Sequence, residues 1–144
     1  MKFEEIQKLW SSDCVIDETE LSQESVKIPQ LHNKYLIIFH DERLRLRTMR
    51  FDHSKLLKVK REYFSGRMDA TELEAYDWEP FQYKLLKADV QEYIDADDDI
   101  IEGKKKISLQ EEKVDYLEAI VKGLSNRGYL IKNAIDWKRF TEGH

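Results

Sequence analysis

Residues 43–67 hold nine lysines or arginines and only two acids, Asp52 and Glu62. That window carries +7, in a chain whose remainder sums to −12. Arg43, Arg47, Arg50, Lys58 and Arg61 fall near one face of a helix, Lys55 lies beside that face, and Lys60 and Arg67 lie close by. Charges on a helix usually form a solvated face, with acids interleaved at i to i+4. Here only Asp41 to Arg45 has the favourable order, and Lys58 to Glu62 runs in the weaker one. Most of the positive charge is therefore uncompensated within the helix. Self-repulsion of this kind costs stability unless a counter-charge comes from elsewhere, either phosphate or the acidic body of a neighbouring subunit. Tyr63 and Phe64 follow the bases directly. Nucleic-acid bases stack on aromatic rings at about 1–3 kcal/mol each, with little sequence preference. Tyr63 shares the apolar seam described below and fits the core better. Phe64 is a candidate stacking residue.

Other constellations fall short of chemistry. Asp95, Asp97 and Asp99 alternate as in a calcium loop, but Ile100 sits where the loop needs Gly and Lys106 where it needs a bidentate Glu. His32 and His53 lie on the seam, His40 is isolated and His144 is last. No two have metal-ligand spacing, and Cys14 is remote from all of them in sequence. Glycine-rich phosphate loops, nucleophile elbows and Cys/His signatures are missing, and no carboxylate pair stands out by spacing. The expectation is a binding protein with no catalytic residue, metal or cofactor.

The basic window needs a long helix to carry it. Positions 28, 32, 35, 39, 42, 46, 49, 53, 56, 60 and 63 alternate steps of four and three. They hold Ile28, His32, Tyr35, Phe39, Glu42, Leu46, Met49, His53, Leu56, Lys60 and Tyr63. This heptad predicts a helix packed lengthwise on a partner helix, with the polar entries Glu42 and Lys60 weakening the seam. The helix is expected to open at an Asp17/Glu20 capping box, to kink or restart at Pro29, and to stop at Ser65-Gly66. Before it, Phe3, Ile6 and Trp10 predict a short amphipathic helix over residues 2–11. After it, a capping box at Thr71 and Glu74 predicts a short helix, and Pro80 the first turn of another through Phe81, Leu85 and Leu86.

Toward the C-terminal end, Ile100, Ile107, Val114 and Val121 recur every seven residues, with Leu117 and Leu124 three further on. The sequence leaves open whether this helix starts near Asp99 or at Ser108. Arg127-Gly128 is expected to end it, and Asn133 to cap a last helix carrying Ile135, Trp137 and Phe140.

The chain has 144 residues, 41% hydrophobic and 37% charged, with five Gly and two Pro. So high a charged share, with so few turn formers, favours long exposed helices over a β-sandwich. The fold class expected is all-α: about five elongated helices in a single domain spanning 1–144. Residues 1–67 would carry the basic helix, and 68–144 a C-terminal oligomerisation region. The opening MKFEEIQKLW does not read as a signal peptide, and no stretch is long and apolar enough to span a membrane. The single cysteine gives no internal disulfide, so a cytoplasmic location is expected.

Two segments resemble a known family. LLKVKREYFSGR at 56–67 is similar to the signature of the UvsY-type recombination mediators of tailed bacteriophages. There a Lys, a small residue and a base precede an acid, Tyr, an aromatic and Ser-Gly-Arg. Here these are Lys58, Val59, Lys60, Glu62, Tyr63, Phe64, Ser65, Gly66 and Arg67. RGYLIKNAIDWKRFTEG at 127–143 resembles the family's C-terminal end, and VID at 15–17 also fits. The stretch around 95–106 is somewhat longer than the family's.

The resemblance implies single-stranded DNA binding, hexameric or heptameric rings, and contacts with a phage recombinase and a phage single-strand-binding protein. The setting it implies is the cytoplasm of an infected bacterial host. By position, Lys58 and Lys60 match the motif residues implicated in DNA binding, with Lys60 where Arg is common. Arg grips phosphate bidentately whereas Lys is a point charge. The implied self-assembly region maps onto Val114, Leu117, Val121, Leu124, Trp137 and Phe140. The rival expectation is a helical scaffold whose basic stripe docks on an acidic protein and touches no DNA.

Overall fold

Among the described residues, five helices and no strand make an all-α fold: α1 Phe3–Asp13, α2 Leu21–Phe64, α3 Ala70–Tyr76, α4 Lys87–Ala96 and α5 Asp98–Glu142. This is a computed structural model, and it describes residues 1–143, so His144 lies outside the described residues. The chain divides into two compact units, Met1–Arg45 with Gln110–His144, and Leu46–Leu109. Both long helices run through both units.

In the first unit, Ile6 of α1, Tyr35 and Phe39 of α2, and Val114, Leu117, Ile120, Leu124 and Ile131 of α5 are buried. Trp10 meets Tyr35 edge-to-face at 5.2 Å, and Phe3 meets Tyr116 at 5.3 Å. The buried charged residues Glu42 and Arg127 of this unit find partners, although Arg127 Nε itself has none among the described residues. Glu42 accepts from Gln110 Nε2 at 2.8 Å, Lys113 Nζ at 3.4 Å and the Met1 amine at 3.0 Å. Arg127 donates to the Asp13 and Val15 carbonyls and pairs with Glu24 at 3.2 Å.

That Arg127 clamp explains why Arg127-Gly128 does not end α5. Its guanidinium is tied into the core, so tertiary bonds outweigh the cost of a helical glycine, about 1 kcal/mol. Asn133 accordingly lies within α5 and caps no separate helix. Pro29 likewise neither breaks nor restarts α2. It sits on the exposed side, as does Ser25, whose carbonyl is the one a proline at 29 cannot bond. Asp17 does not cap α2. Its carboxylate closes a turn on Thr19, and α2 starts at Leu21, with the Glu20 carbonyl accepting from Glu24 N–H.

In the second unit, Phe64, Val90, Ile94 and Ile100 form a buried cluster, with Leu56, Leu57, Tyr63, Phe81 and Leu85 packed against it. Gly66, at φ +73°, ends α2 as its sequence position predicts. The N–H groups of Gly66 and Arg67 close on the carbonyls of Tyr63 and Glu62, the Schellman arrangement. The N-cap of α3 is Asp69, whose carboxylate accepts from Glu72 N–H at 2.8 Å, two residues before the expected Thr71.

Pro80 opens no helix. Residues 77–86 are irregular, because the Tyr63 hydroxyl donates to the Glu79 carbonyl at 2.6 Å and Phe81 turns into the aromatic cluster. Of the two possible starts of α5, the structure takes the earlier. Asp97 caps the helix, accepting from the N–H groups of Asp99 and Ile100 at 3.1 and 3.2 Å. Gly103 is tolerated inside because a Cβ there would lie 2.6 Å from Nδ1 of His53.

Candidate nucleic-acid interface

The seam of α2 is as the heptad predicts, since none of its eleven positions is exposed. Turning the seam inward sends the flanking bases outward. Arg47, Arg50, Lys55, Lys58 and Arg61 are all exposed on α2, and Arg67 is exposed just past the Gly66 cap. Arg47, Lys55, Lys58 and Arg67 make no ion pair among the described residues. Arg61 donates to Gln91 Oε1 at 3.2 Å, a neutral partner that leaves its charge uncompensated. Arg43 belongs to the first unit. It is half-buried, bonded to His40 Nδ1 at 2.8 Å and lying over the Phe39 ring at 5.1 Å.

Two expected DNA contacts lie inside instead. Lys60 is only 5% exposed, and its ammonium pairs with Asp99 at 2.9 Å and Asp97 at 3.2 Å and lies 4.2 Å from the Trp78 ring centre. Burial alone would push the Lys60 ammonium down, but the hydrogen bonds and charges of Asp99 and Asp97 outweigh it and hold the group above the ordinary lysine value. So enclosed, the Lys60 ammonium serves the fold through Asp97 and Asp99. Phe64 is buried too, edge-on to Phe81 at 5.1 Å and tilted against Tyr93 at 5.7 Å. Its ring faces are therefore covered, and no base can stack on them. The acidic turn serves these contacts: Asp95 bonds Gln91, while Asp97 both caps α5 and binds Lys60. Among the described residues, no group of three or more metal-binding side chains comes together.

The family described as "Recombination, repair and ssDNA binding protein UvsY" matches residues 9–144. The chain belongs to the UvsY family. A curated relative, the recombination protein uvsY of Enterobacteria phage T4, is 23% identical over 143 residues and covers 99% of each chain. Two crystal structures of the bacteriophage T4 recombination mediator protein UvsY, in lattice types IV and II, superpose with TM-scores of 0.83 at 22% identity. They cover 97% and 99% of this chain, and 99% and 98% of their own. The likeness covers nearly all of this chain and shows a shared fold. In general role this UvsY-family chain is a recombination mediator, a binding protein and not an enzyme.

The structure divides the six residues expected to drive self-assembly. Val114, Leu117 and Leu124 are buried within their own chain, at 7%, 0% and 0% exposure, and Val121 is half-buried. Those positions of α5 belong to the chain's own core, with α1 and α2 packed against them, and do not form an open stripe. Trp137 and Phe140 remain outside, 65% and 79% exposed and 5.8 Å apart. Tyr129 and Leu130, at 70% and 59%, complete an apolar face that sequence reasoning missed. Its signal was available, since 130, 137 and 140 recur at helical spacing once α5 is read through Gly128. Among the described residues no helix is long and apolar enough to cross a membrane.

Proposed function

We propose that this UvsY-family protein binds single-stranded DNA through the exposed cations along the second half of α2, as a homo-oligomeric ring. In that form it would help load a phage recombinase onto strands coated by a single-strand-binding protein in the host cytoplasm. One observation carries the DNA contact: Arg47, Lys55, Lys58 and Arg67 project into solvent with no acid paired to them among the described residues. Phosphate is the counter-charge such a row lacks. Arg43, Arg50 and Arg61 lie on the same helix and add to the field.

Lys58 is the central contact in this reading. It is exposed at the start of the last two turns of α2 and matches the base implicated in DNA contact by the family resemblance. Weak phosphate contacts of single subunits become strong when a ring presents several of them to one strand. Trp137 and Phe140, with Tyr129 and Leu130, supply the apolar surface for subunit contacts in a hexamer or heptamer. Wrapping the strand on the ring loosens the single-strand-binding protein and presents DNA to the recombinase.

The test is a salt titration of oligonucleotide binding by fluorescence anisotropy. Lys58→Ala should weaken binding and reduce the log–log salt slope by about 0.7 for each phosphate that is no longer neutralised. Sequence preference should not change, because phosphates carry no base information. A Lys58→Ala protein with unchanged affinity and slope refutes the assignment. If the wild type binds an acidic protein and not DNA, the scaffold reading takes its place. Trp137→Ser with Phe140→Ser should lower the mass in solution by light scattering, and a retained wild-type mass removes that face from the assembly.

A further inference from the structure

The chain turns where α2 ends, and the turn builds a pocket. Gly66 takes φ +73°, and Arg67 N–H closes on the Glu62 carbonyl at 3.0 Å, which fixes Ser65 and Arg67 just past the last turn. The irregular segment 77–86 then brings the start of α4 to the same place. Ser65, Arg67, Leu85, Lys87 and Val90 together line a cavity of about 220 Å³. Val90 belongs to the buried cluster and Leu85 packs on it, so the apolar wall is held by the core. The polar part of the lining is two cations and a hydroxyl, with no carboxylate. Asp89, in the first turn of α4, does not line the cavity. Neither Arg67 nor Lys87 has a hydrogen bond or ion pair from its side chain among the described residues.

Two unpaired cations facing one concavity repel each other, and an anion between them reverses the sign. The donor set points to the type of anion. A guanidinium offers a planar fork that matches phosphate oxygens in pairs, an ammonium adds a mobile point charge, and a serine hydroxyl adds a third donor. We infer that this cavity holds one backbone phosphate of a single strand, with Arg67 as the fork, Lys87 as the second cation and Ser65 Oγ as the third donor. The inference rests on the single-strand reading above. It adds a contact from α4, outside the basic window and 20 residues beyond its last base, Arg67. It also gives the Ser-Gly-Arg turn a task. The αL glycine lets the chain reverse so that Ser65 and Arg67 face one cavity.

The experiment compares Lys87→Ala with Lys84→Ala in the full chain, using a fluorescent oligothymidylate across a salt series. Lys84 is exposed in the same connector but does not line the cavity, so both variants remove one charge from one region. Lys87→Ala should lower affinity several-fold and reduce the salt slope by about 0.7 per engaged subunit. Lys84→Ala should leave the slope unchanged, and Lys87→Arg should restore it. Both alanine variants should melt with the wild type, since neither side chain has a hydrogen bond or ion pair among the described residues. Equal effects at 84 and 87 overturn the pocket and leave only diffuse attraction. If Lys58→Ala lowers the slope and Lys87→Ala does not, the pocket fails while the single-strand reading stands. Failure of the wild type to bind the oligonucleotide at low salt overturns both.

Discussion

Replacing Lys60 by alanine should unfold the protein more easily without directly weakening its grip on DNA, whereas the same change at Lys58, two residues away, should do the reverse. The magnitude follows from what each partner of Lys60 gives up. The Asp97 side chain is 14% exposed, and without the ammonium its Oδ1 has no counter-charge. Removing one partner of a buried pair costs about 3–5 kcal/mol. Asp97 Oδ2 keeps its bonds to the Asp99 and Ile100 N–H groups, so the carboxylate is not wholly orphaned. That places its share nearer the 1.5–3 kcal/mol typical of a charged hydrogen bond. Asp99 is 61% exposed, so water replaces the cation there and the cost is about 0–1 kcal/mol. The Trp78 face adds about 0.5–2 kcal/mol.

A total of about 2–6 kcal/mol, centred on about 4 kcal/mol, corresponds to a fall in Tm of about 8–16 °C for a chain of this size. Because the Lys60 ammonium is held above its ordinary value of 10.5, this contribution is complete below that pH and disappears only as alkali titrates the group. Thermal unfolding by circular dichroism measures the first effect. Anisotropy well below the transition measures the second, with Lys58→Ala as the mirror case: Tm within about 2 °C of wild type and affinity reduced. A Lys60→Ala protein that melts with the wild type yet fails to hold DNA would show that the ammonium is free for phosphate in the working assembly, and the reasoning would be wrong.

Three further outcomes test the packing. Gly103→Ala puts a Cβ 2.6 Å from the His53 ring and should destabilise by about 1–3 kcal/mol, whereas Gly123→Ala meets open space and should stabilise by about 0.5–1 kcal/mol. Urea midpoints at constant m-value separate the two, and equal shifts would deny the close approach at Gly103. Arg127→Ala leaves Glu24 buried and two carbonyls without their donor, and should cost about 3–5 kcal/mol by the same measurement. Burial would raise the Asp13 and Glu42 carboxyls, but bonds from Lys34 and Tyr35 to the first, and from Gln110, the Met1 amine and Lys113 to the second, hold both below their ordinary values of 3.8 and 4.5. Their contribution to stability is therefore complete above those values and disappears as the pH falls through the lowered ones. Glu42→Gln should flatten that acid limb, and an unchanged limb would place the acid sensitivity elsewhere.

The long helices are legible in the sequence because hydrophobic period is a local signal: the α2 seam at 28–63 is covered at every position. Their ends are less so, because cap and breaker residues express only a local preference that a distant contact can override. Pro29 and Gly128 both sit inside helices for that reason. The site shows the same limit more sharply. Lys60 and the Asp97–Asp99 turn appear in the sequence as two separate features, an uncompensated base and a failed calcium loop. Lys60 and Asp97 lie 37 residues apart and form one ion-pair cluster. No pattern within the helix distinguishes Lys60 from Lys58 by charge. The heptad does distinguish them, since 60 is a seam position and 58 is not. A charged residue on an apolar seam is evidence of a buried partner elsewhere in the chain. Glu42, the other polar entry, obeys the same rule with Gln110 and Lys113. Applied beforehand, that rule removes Lys60 from the DNA-facing set and leaves Arg47, Arg50, Lys55, Lys58, Arg61 and Arg67 among the bases that the fold turns toward solvent.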